Sequence, residues 1–170
     1  MKRLLLYGLG LLLLLSFLLV KNNKTIPQGT VIDKIVVIKS QHKMYVYSNN
    51  ELLKTYKIAF GRGGDGAKEY EGDKKTPEGV YFINAKNKDS GYHNSLGISY
   101  PNKADVERCQ KLNKPTGGDI KIHGLKNGFG FIGSVHHLFD WTLGCIALTN
   151  DEVDELSLHT PIGTIIEIKH

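Results

Sequence analysis

Two residues in this 170-residue chain have the chemistry to attack a substrate together: Cys145, within Asp140-Trp141-Thr142-Leu143-Gly144-Cys145-Ile146, and His123, within Asp119-Ile120-Lys121-Ile122-His123-Gly124. Cysteine is scarce, with only Cys109 and Cys145. A thiol reacts as its thiolate, so a nucleophilic cysteine needs a base within reach. The run ending in His123 reads as a strand, which places the imidazole on a rigid element yet facing a groove; Gly124 lets the chain turn away. Gly144 leaves the backbone beside the thiol uncovered for a substrate carbonyl, and the amides of Gly144 and Cys145 are expected to face a developing oxyanion. A helix starting near residue 149 would bring a positive dipole end close to Cys145 and favour thiolate. On these residues alone two other readings of Cys145 stay open: a small buried side chain, or a disulfide to Cys109, which would suit an exported protein.

Other patterns carry less. The segment GRGGDG (61–66) satisfies G-x-G-x-x-G after an expected strand. A dinucleotide site needs a helix to open there, and the continuation AKEYEGDKKTPEG is charged and broken by glycine and proline. It reads as a long mobile surface loop, or one that also borders a substrate groove. His123, His136, His137 and Cys145 are a possible metal set, but read as strand neighbours His136 and His137 point to opposite faces, and no C-x-x-C or H-E-x-x-H spacing occurs. No metal and no cofactor are expected. His42 and His93 read as surface or packing residues.

The elements that must hold Cys145 and His123 are mostly strands. DKIVVIKS (33–40), KMYVYS (43–48), LLKTYKIAFG (52–61), GVYFINAK (79–86), DIKIHG (119–124) and GTIIEIKH (163–170) are short and rich in β-branched and aromatic residues, with SNNE (48–51) as a hairpin turn. Two helices are expected. NKADVERCQKLN (102–113) has Asn102 as a cap, and TNDEVDELSLH (149–159) carries the capping-box pair Thr149 and Glu152. The sum is a mainly β domain, a sandwich or partial barrel with two short helices.

That domain spans 25–170. Before it, MKRLLLYGLGLLLLLSFLLVKNNK (1–24) has two bases followed by seventeen uncharged, leucine-rich positions, 4–20. At about 1.5 Å per residue this is just long enough to cross a hydrocarbon core. No convincing cleavage site follows, so an N-terminal hydrophobic helix acting as signal anchor is expected, with a cleaved signal peptide as the alternative. The rest of the chain is then exported. Residues 1–24 hold four of the 22 bases and none of the 17 acids, so the remainder is close to neutral and gives no support to nucleic-acid binding.

The chain resembles the L,D-transpeptidase catalytic domain of the YkuD type, a bacterial cell-wall family. The residues that carry this are His123-Gly124 at a strand end, then Thr142-Leu143-Gly144-Cys145 in the family's Ser/Thr-x-Gly-Cys pattern. The segment 39–83 resembles the family's opening hairpin and its Gly-Asp…Thr-Pro-Glu-Gly stretch, LGISYPN and GGDIKIHG match its middle, and the similarity runs over roughly 31–169. It departs twice. Ala147 stands where many members have arginine, and the eighteen residues between His123 and Thr142 are slightly more than usual, so that NGFGFIGSVHHLFD (127–140) is expected to reshape one wall of the groove.

The resemblance implies a Cys145 acyl-enzyme on peptidoglycan stem tetrapeptides, with His123 as base and then acid. It also implies that carbapenems acylate the same sulfur. The acyl group would pass to a neighbouring stem, a wall-linked protein lysine, a free amino acid or water. Arg62, Lys68 and Thr142 are candidate substrate contacts, the first two as replacements for the missing cation. Partners are then stem peptides and, through 1–24, the cytoplasmic membrane, in the periplasm or on that membrane's outer face. An exported cysteine peptidase or amidase using the same pair is the main alternative, and a catalytically silent wall-binding module a further one.

Overall fold

The computed structural model describes residues 25–170; the expected signal segment, 1–24, lies outside the described residues. Eight strands form one sheet: β1 Lys34–Ile38, β2 Lys43–Ser48, β3 Glu51–Lys57, β4 Gly79–Ser90, β5 His93–Ile98, β6 Lys121–His123, β7 Ile146–Ala147 and β8 Ile165–Lys169, in the spatial order β3-β2-β1-β8-β4-β5-β6-β7. The helices are α1 Lys103–Lys111 and α2 Asn150–His159, with 3-10 turns at Lys39–Gln41 and Gly130–Leu138.

Alternation in sequence sets the curvature. Ile35 and Val37, Met44 and Val46, Tyr81 and Ile83, Leu96 and Ile98, Ile166 and Ile168 are buried and gather on one face, as period-two side chains must. Burying each aliphatic side chain contributes roughly 1.5–3 kcal/mol, and only a sheet that bends around them can cover so many from every side. β4 is the strand on which it bends. Its first four residues pair with β8, its remainder pairs with β5, and the register slips between Ile83 and Ala85. The two outer strands then nearly meet. Past β3, Ala59 pairs with Ala147 and Gly61 with Thr142, through Ala147 N–H to Ala59 O at 2.7 Å and Thr142 N–H to Phe60 O at 3.1 Å. The result is a curled half-barrel. Of the two architectures expected, the partial barrel stands and the two-sheet sandwich does not, because the strands form one continuous ladder.

Both helices start where their caps predict. Asn102 and Asp105 exchange side-chain bonds with each other's backbone N–H, as do Thr149 and Glu152. Asn49 and Asn50, at φ 50° and 65°, make the β2–β3 turn. Four elements were not expected: β5, β7 and the 3-10 segments Lys39–Gln41 and Gly130–Leu138. His136 and His137 therefore lie on a 3-10 turn, not a strand. Their rings sit side by side with centroids 3.9 Å apart, so the opposite-face argument against a metal there does not hold. Among the described residues, even so, no three His, Cys, Asp or Glu side chains gather in a group that could hold a metal ion.

Candidate active site

β6 and β7 bring the two reactive side chains together. They run parallel, with Ile122 beside Ile146 and His123 beside Ala147. Ile122 and Ile146 are fully buried in the core. The residues on either side of them, His123 and Cys145, must then point to the other face. There they line one cleft of about 350 Å³, with Tyr92, Lys121, Trp141 and Leu143 among its other walls. Lys121 shares that face because it is two residues from His123.

His123 is 5% exposed and tightly placed. Tyr92 packs against it at 4.7 Å between ring centroids and Trp141 meets it edge-on at 5.7 Å. Trp141 is held in turn by its indole N–H, which donates to His136 Nδ1 at 3.3 Å. Burial, then the neighbouring His137 and His123, push His136 down to about 4, so it is a neutral acceptor at physiological pH. His123 Nδ1 lies 2.7 Å from the Gly124 carbonyl oxygen. A carbonyl only accepts, so Nδ1 carries the proton and Nε2 keeps the lone pair. Burial lowers the His123 pKa, the Gly124 bond opposes this, and the Lys121 charge adds to it; the net shift is downward.

Cys145 is free and half-buried. Burial raises its thiol pKa above the ordinary range, although the Lys121 backbone N–H directed at the sulfur, and the Lys121 and Lys68 charges, work the other way. The thiol points towards the Asp119 carbonyl at 3.7 Å. This corrects the expectation of a pair poised as thiolate: both shifts favour the neutral thiol beside a neutral imidazole. The N-terminus of α2 is closed by the Thr149–Glu152 capping box.

The turn that presents Cys145 explains its neighbours. Thr142 is buried, and its Oγ1 donates to the Cys145 carbonyl at 2.7 Å and accepts the Gly144 N–H at 3.1 Å. Thr142 thus shapes the turn as well as lining the cleft. The Gly144 amide, expected in the oxyanion site, is already bonded within the turn, which leaves the Cys145 amide for that role. Gly144 is also not the open door that its lack of a side chain suggested. It is buried at φ +131°, and a Cβ there would lie 2.9 Å from the Lys75 carbonyl oxygen. Gly124 is likewise a packing residue, with Asn150 Oδ1 2.8 Å from where its Cβ would be.

The segment 61–79 supports this turn from behind. Arg62 is exposed, and its backbone N–H donates to the Thr142 carbonyl at 3.1 Å. Lys68 is buried, donating to Asp73 Oδ1 at 2.7 Å and to the Tyr70 carbonyl at 2.9 Å. Neither side chain is among those lining the cleft. Ala147 is fully buried, flanked by His123 in register and by Ala59 across the bridge. Among the described residues, the one Lys or Arg side chain that lines the cleft is Lys121, paired with Asp119 at 2.7 Å. Sequence reasoning missed it, although its i, i+2 spacing to His123 was a usable signal. Cys109 is buried beneath the same segment, where its thiol meets the Glu69 carbonyl, and it is unpaired.

Comparison with known proteins covers nearly the whole described domain. The family model for the L,D-transpeptidase catalytic domain, YkuD, matches residues 32–168. An Escherichia coli protein named "Putative L,D-transpeptidase YafK" is 30% identical over 128 residues, covering 72% of this chain and 44% of its own length. Among solved structures, the helical cell shape determining protein Pgp2 of Campylobacter jejuni is 25% identical with a TM-score of 0.62, over 92% of this chain and 54% of its own. Bd1075 of Bdellovibrio bacteriovorus (23%, TM-score 0.57, 85% and 50%) and L,D-transpeptidase 1 of Mycobacterium tuberculosis (15%, TM-score 0.51, 81% and 60%) share the fold. The chain spans about half the length of these relatives, or a little more or less.

Proposed function

The chain belongs to the L,D-transpeptidase catalytic-domain family, and from that premise we propose that it is a peptidoglycan acyltransferase working through a Cys145 acyl-enzyme. The observation that carries this is the shared cleft. His123 ends β6, Cys145 immediately precedes the parallel β7, both line the same cleft, and the bond to Gly124 leaves Nε2 as the free base.

The donor is a stem tetrapeptide. Cys145 Sγ attacks the carbonyl carbon of the diamino acid before the terminal D-alanine, and His123 Nε2 takes the thiol proton as the C–S bond forms. Because both groups rest neutral, proton transfer accompanies attack. The Cys145 N–H faces the oxyanion. Collapse breaks the C–N bond, and the departing D-alanine amine takes the proton from His123. An acceptor amine then attacks the thioester, its proton passes to His123, and the thiol is restored. Lys121 supplies the cation for a donor carboxylate that Ala147 cannot. Residues 4–20 anchor the domain at the outer face of the cytoplasmic membrane.

Defined tetrapeptide muropeptides incubated with the full chain in detergent should yield crosslinked dimers and free D-alanine, resolved by mass spectrometry. Cys145→Ala should yield neither while remaining folded. Release of D-alanine without any crosslinked or amine-exchanged product would make water the acceptor and overturn the transferase reading.

A further inference from the structure

The segment between His123 and Thr142 carries three of the four most exposed large apolar side chains among the described residues. Phe131 is 85% exposed, Leu138 71% and Phe139 68%, and Val135 and Phe129 are exposed beside them. Phe129, Val135 and Phe139 border an apolar hollow of about 320 Å³ whose floor includes Ile132 and Trp141. From Asn127 to Phe139 there is no Lys, Arg, Asp or Glu. Two short 3-10 turns, separated at Gly133, hold these side chains outward instead of folding them into the core. Apolar surface of this kind, gathered in one place, marks a surface that meets something apolar.

The geometry points to what it meets. The chain joins the described domain at Thr25, which with Ile26 lines a hollow shared with Asp151, Glu152 and Glu155 on α2. The Ile26 N–H donates to Glu155 at 2.9 Å, which fixes that position. Glu152 is also 4.0 Å from His137, the residue next to Leu138. The arriving segment, at Glu155, and the exposed apolar turns, at Glu152, therefore meet α2 three residues apart. Only four residues, Lys21 to Lys24, separate the apolar stretch 4–20 from Thr25, a reach of roughly 14 Å at most. Of the three carboxylates at this end Asp151 is exposed, and the other two are engaged within the fold. Glu152 is engaged in the helix cap, and Glu155 is bonded to Lys54 and Tyr56.

We propose that Phe131, Leu138 and Phe139 insert into the bilayer that residues 4–20 enter, so that the domain lies on the membrane by a second contact and presents its cleft beside the lipid surface. This rests on the anchor proposed above. Uncharged turns bearing phenylalanine and leucine suit the boundary between headgroups and acyl chains, where their apolar area leaves water. Trp141 borders both the hollow and the catalytic cleft, so lipid contact at the turns is also contact beside the site.

Trp141 is the chain's only tryptophan, which makes the proposal measurable without any activity assay. The full chain is reconstituted into phosphatidylethanolamine–phosphatidylglycerol vesicles with and without brominated acyl chains, and Trp141 emission is compared. Wild type should be strongly quenched by brominated lipid. The combined variant Phe131→Ser, Leu138→Ser, Phe139→Ser should stay in the vesicles after carbonate washing and lose that quenching. Carbonate-resistant wild type without quenching overturns the proposal but leaves the anchor intact. Equal quenching in wild type and variant overturns it too, since the tether alone would then set the distance. Protein removed by carbonate and unquenched overturns anchor and insertion together. A dimer that the variant abolishes, with Trp141 unquenched, would make a second copy of the chain the occupant.

Discussion

The cleft is approached by two long connections that treat their own composition in opposite ways. The segment 61–79 is rich in charge and glycine, yet it buries two lysines. Lys68 pairs with Asp73, and Lys39, reaching in from the first 3-10 turn, bonds the Gly66 carbonyl and Glu78. The segment 127–140 is apolar and nearly free of charge, yet it leaves its phenylalanines in solvent. Polar side chains fold inward where a partner is fixed beside each one, because a paired buried charge is tolerated and an unpaired one is not. Apolar side chains stay outward where short turns give them no face to bury. One connection braces the Cys145 turn, and the other offers a surface.

The contrast predicts unequal responses to substitution. Asp73 holds Lys68 and accepts the Glu69, Tyr70 and Lys75 N–H groups. Asp73→Ala strips the buried Lys68 ammonium of its paired carboxylate, leaving it the Tyr70 carbonyl, and should cost about 3–5 kcal/mol, read as the midpoint of denaturant unfolding. Burial works against ionising Asp73, but Lys68 and the three amides overcome it and hold its carboxyl below the usual range. The folded state then binds fewer protons than the unfolded chain. The stability Asp73 contributes is full above the unfolded pKa of about 3.9 and is lost as pH falls through the lower folded value. A wild-type unfolding midpoint that does not fall across that window, while Asp73→Ala stays flat, would break the account of this loop.

Smaller effects sharpen the comparison. Gly144→Ala forces a side chain into φ +131° against the Lys75 carbonyl. It should cost roughly 1–3 kcal/mol and slow turnover by displacing Cys145, so melting and kinetics should move together. At the other end, Phe131→Ser, Leu138→Ser and Phe139→Ser should each change the stability of the protein in detergent by no more than about 0.5 kcal/mol. A large loss there would mean that these side chains pack in the folded domain, and the two connections would no longer differ in kind.

Much of this was legible beforehand, for identifiable reasons. Strands with clean alternation and helices with capping boxes appeared where expected, because those signals are local. The family resemblance located His123 and Cys145. β5 and β7 were not legible: HNSLGI mixes polar residues and glycine, and Ile146–Ala147 is a strand only because β6 and the chain after β3 pair with it. The 3-10 turns at 130–138 lack any period that distinguishes them from a strand. Lys68 was expected in the groove as a substitute for the cation missing at Ala147, and only the fold reveals Asp73 beside it. The Gly144 amide was expected to be free, and the Thr142 hydroxyl that occupies it lies too close in sequence for spacing to reveal.

The central claim is that a neutral Cys145 thiol, deprotonated by a neutral His123 as it attacks, takes up the donor. It is tested most directly by trapping the acyl-enzyme. The protein is mixed with a tetrapeptide donor without acceptor, acid-quenched at short times across a range of pH, and its peptides are weighed. The adduct should have the mass of the donor less D-alanine, on the peptide containing Cys145. Its rate should fall only below the ordinary imidazole value of about 6.5, since burial shifts His123 downward. It should be absent in Cys145→Ala and strongly slowed in His123→Ala. An adduct on Cys109, one that persists in Cys145→Ala, or a rate that already falls well above that pH would contradict the account.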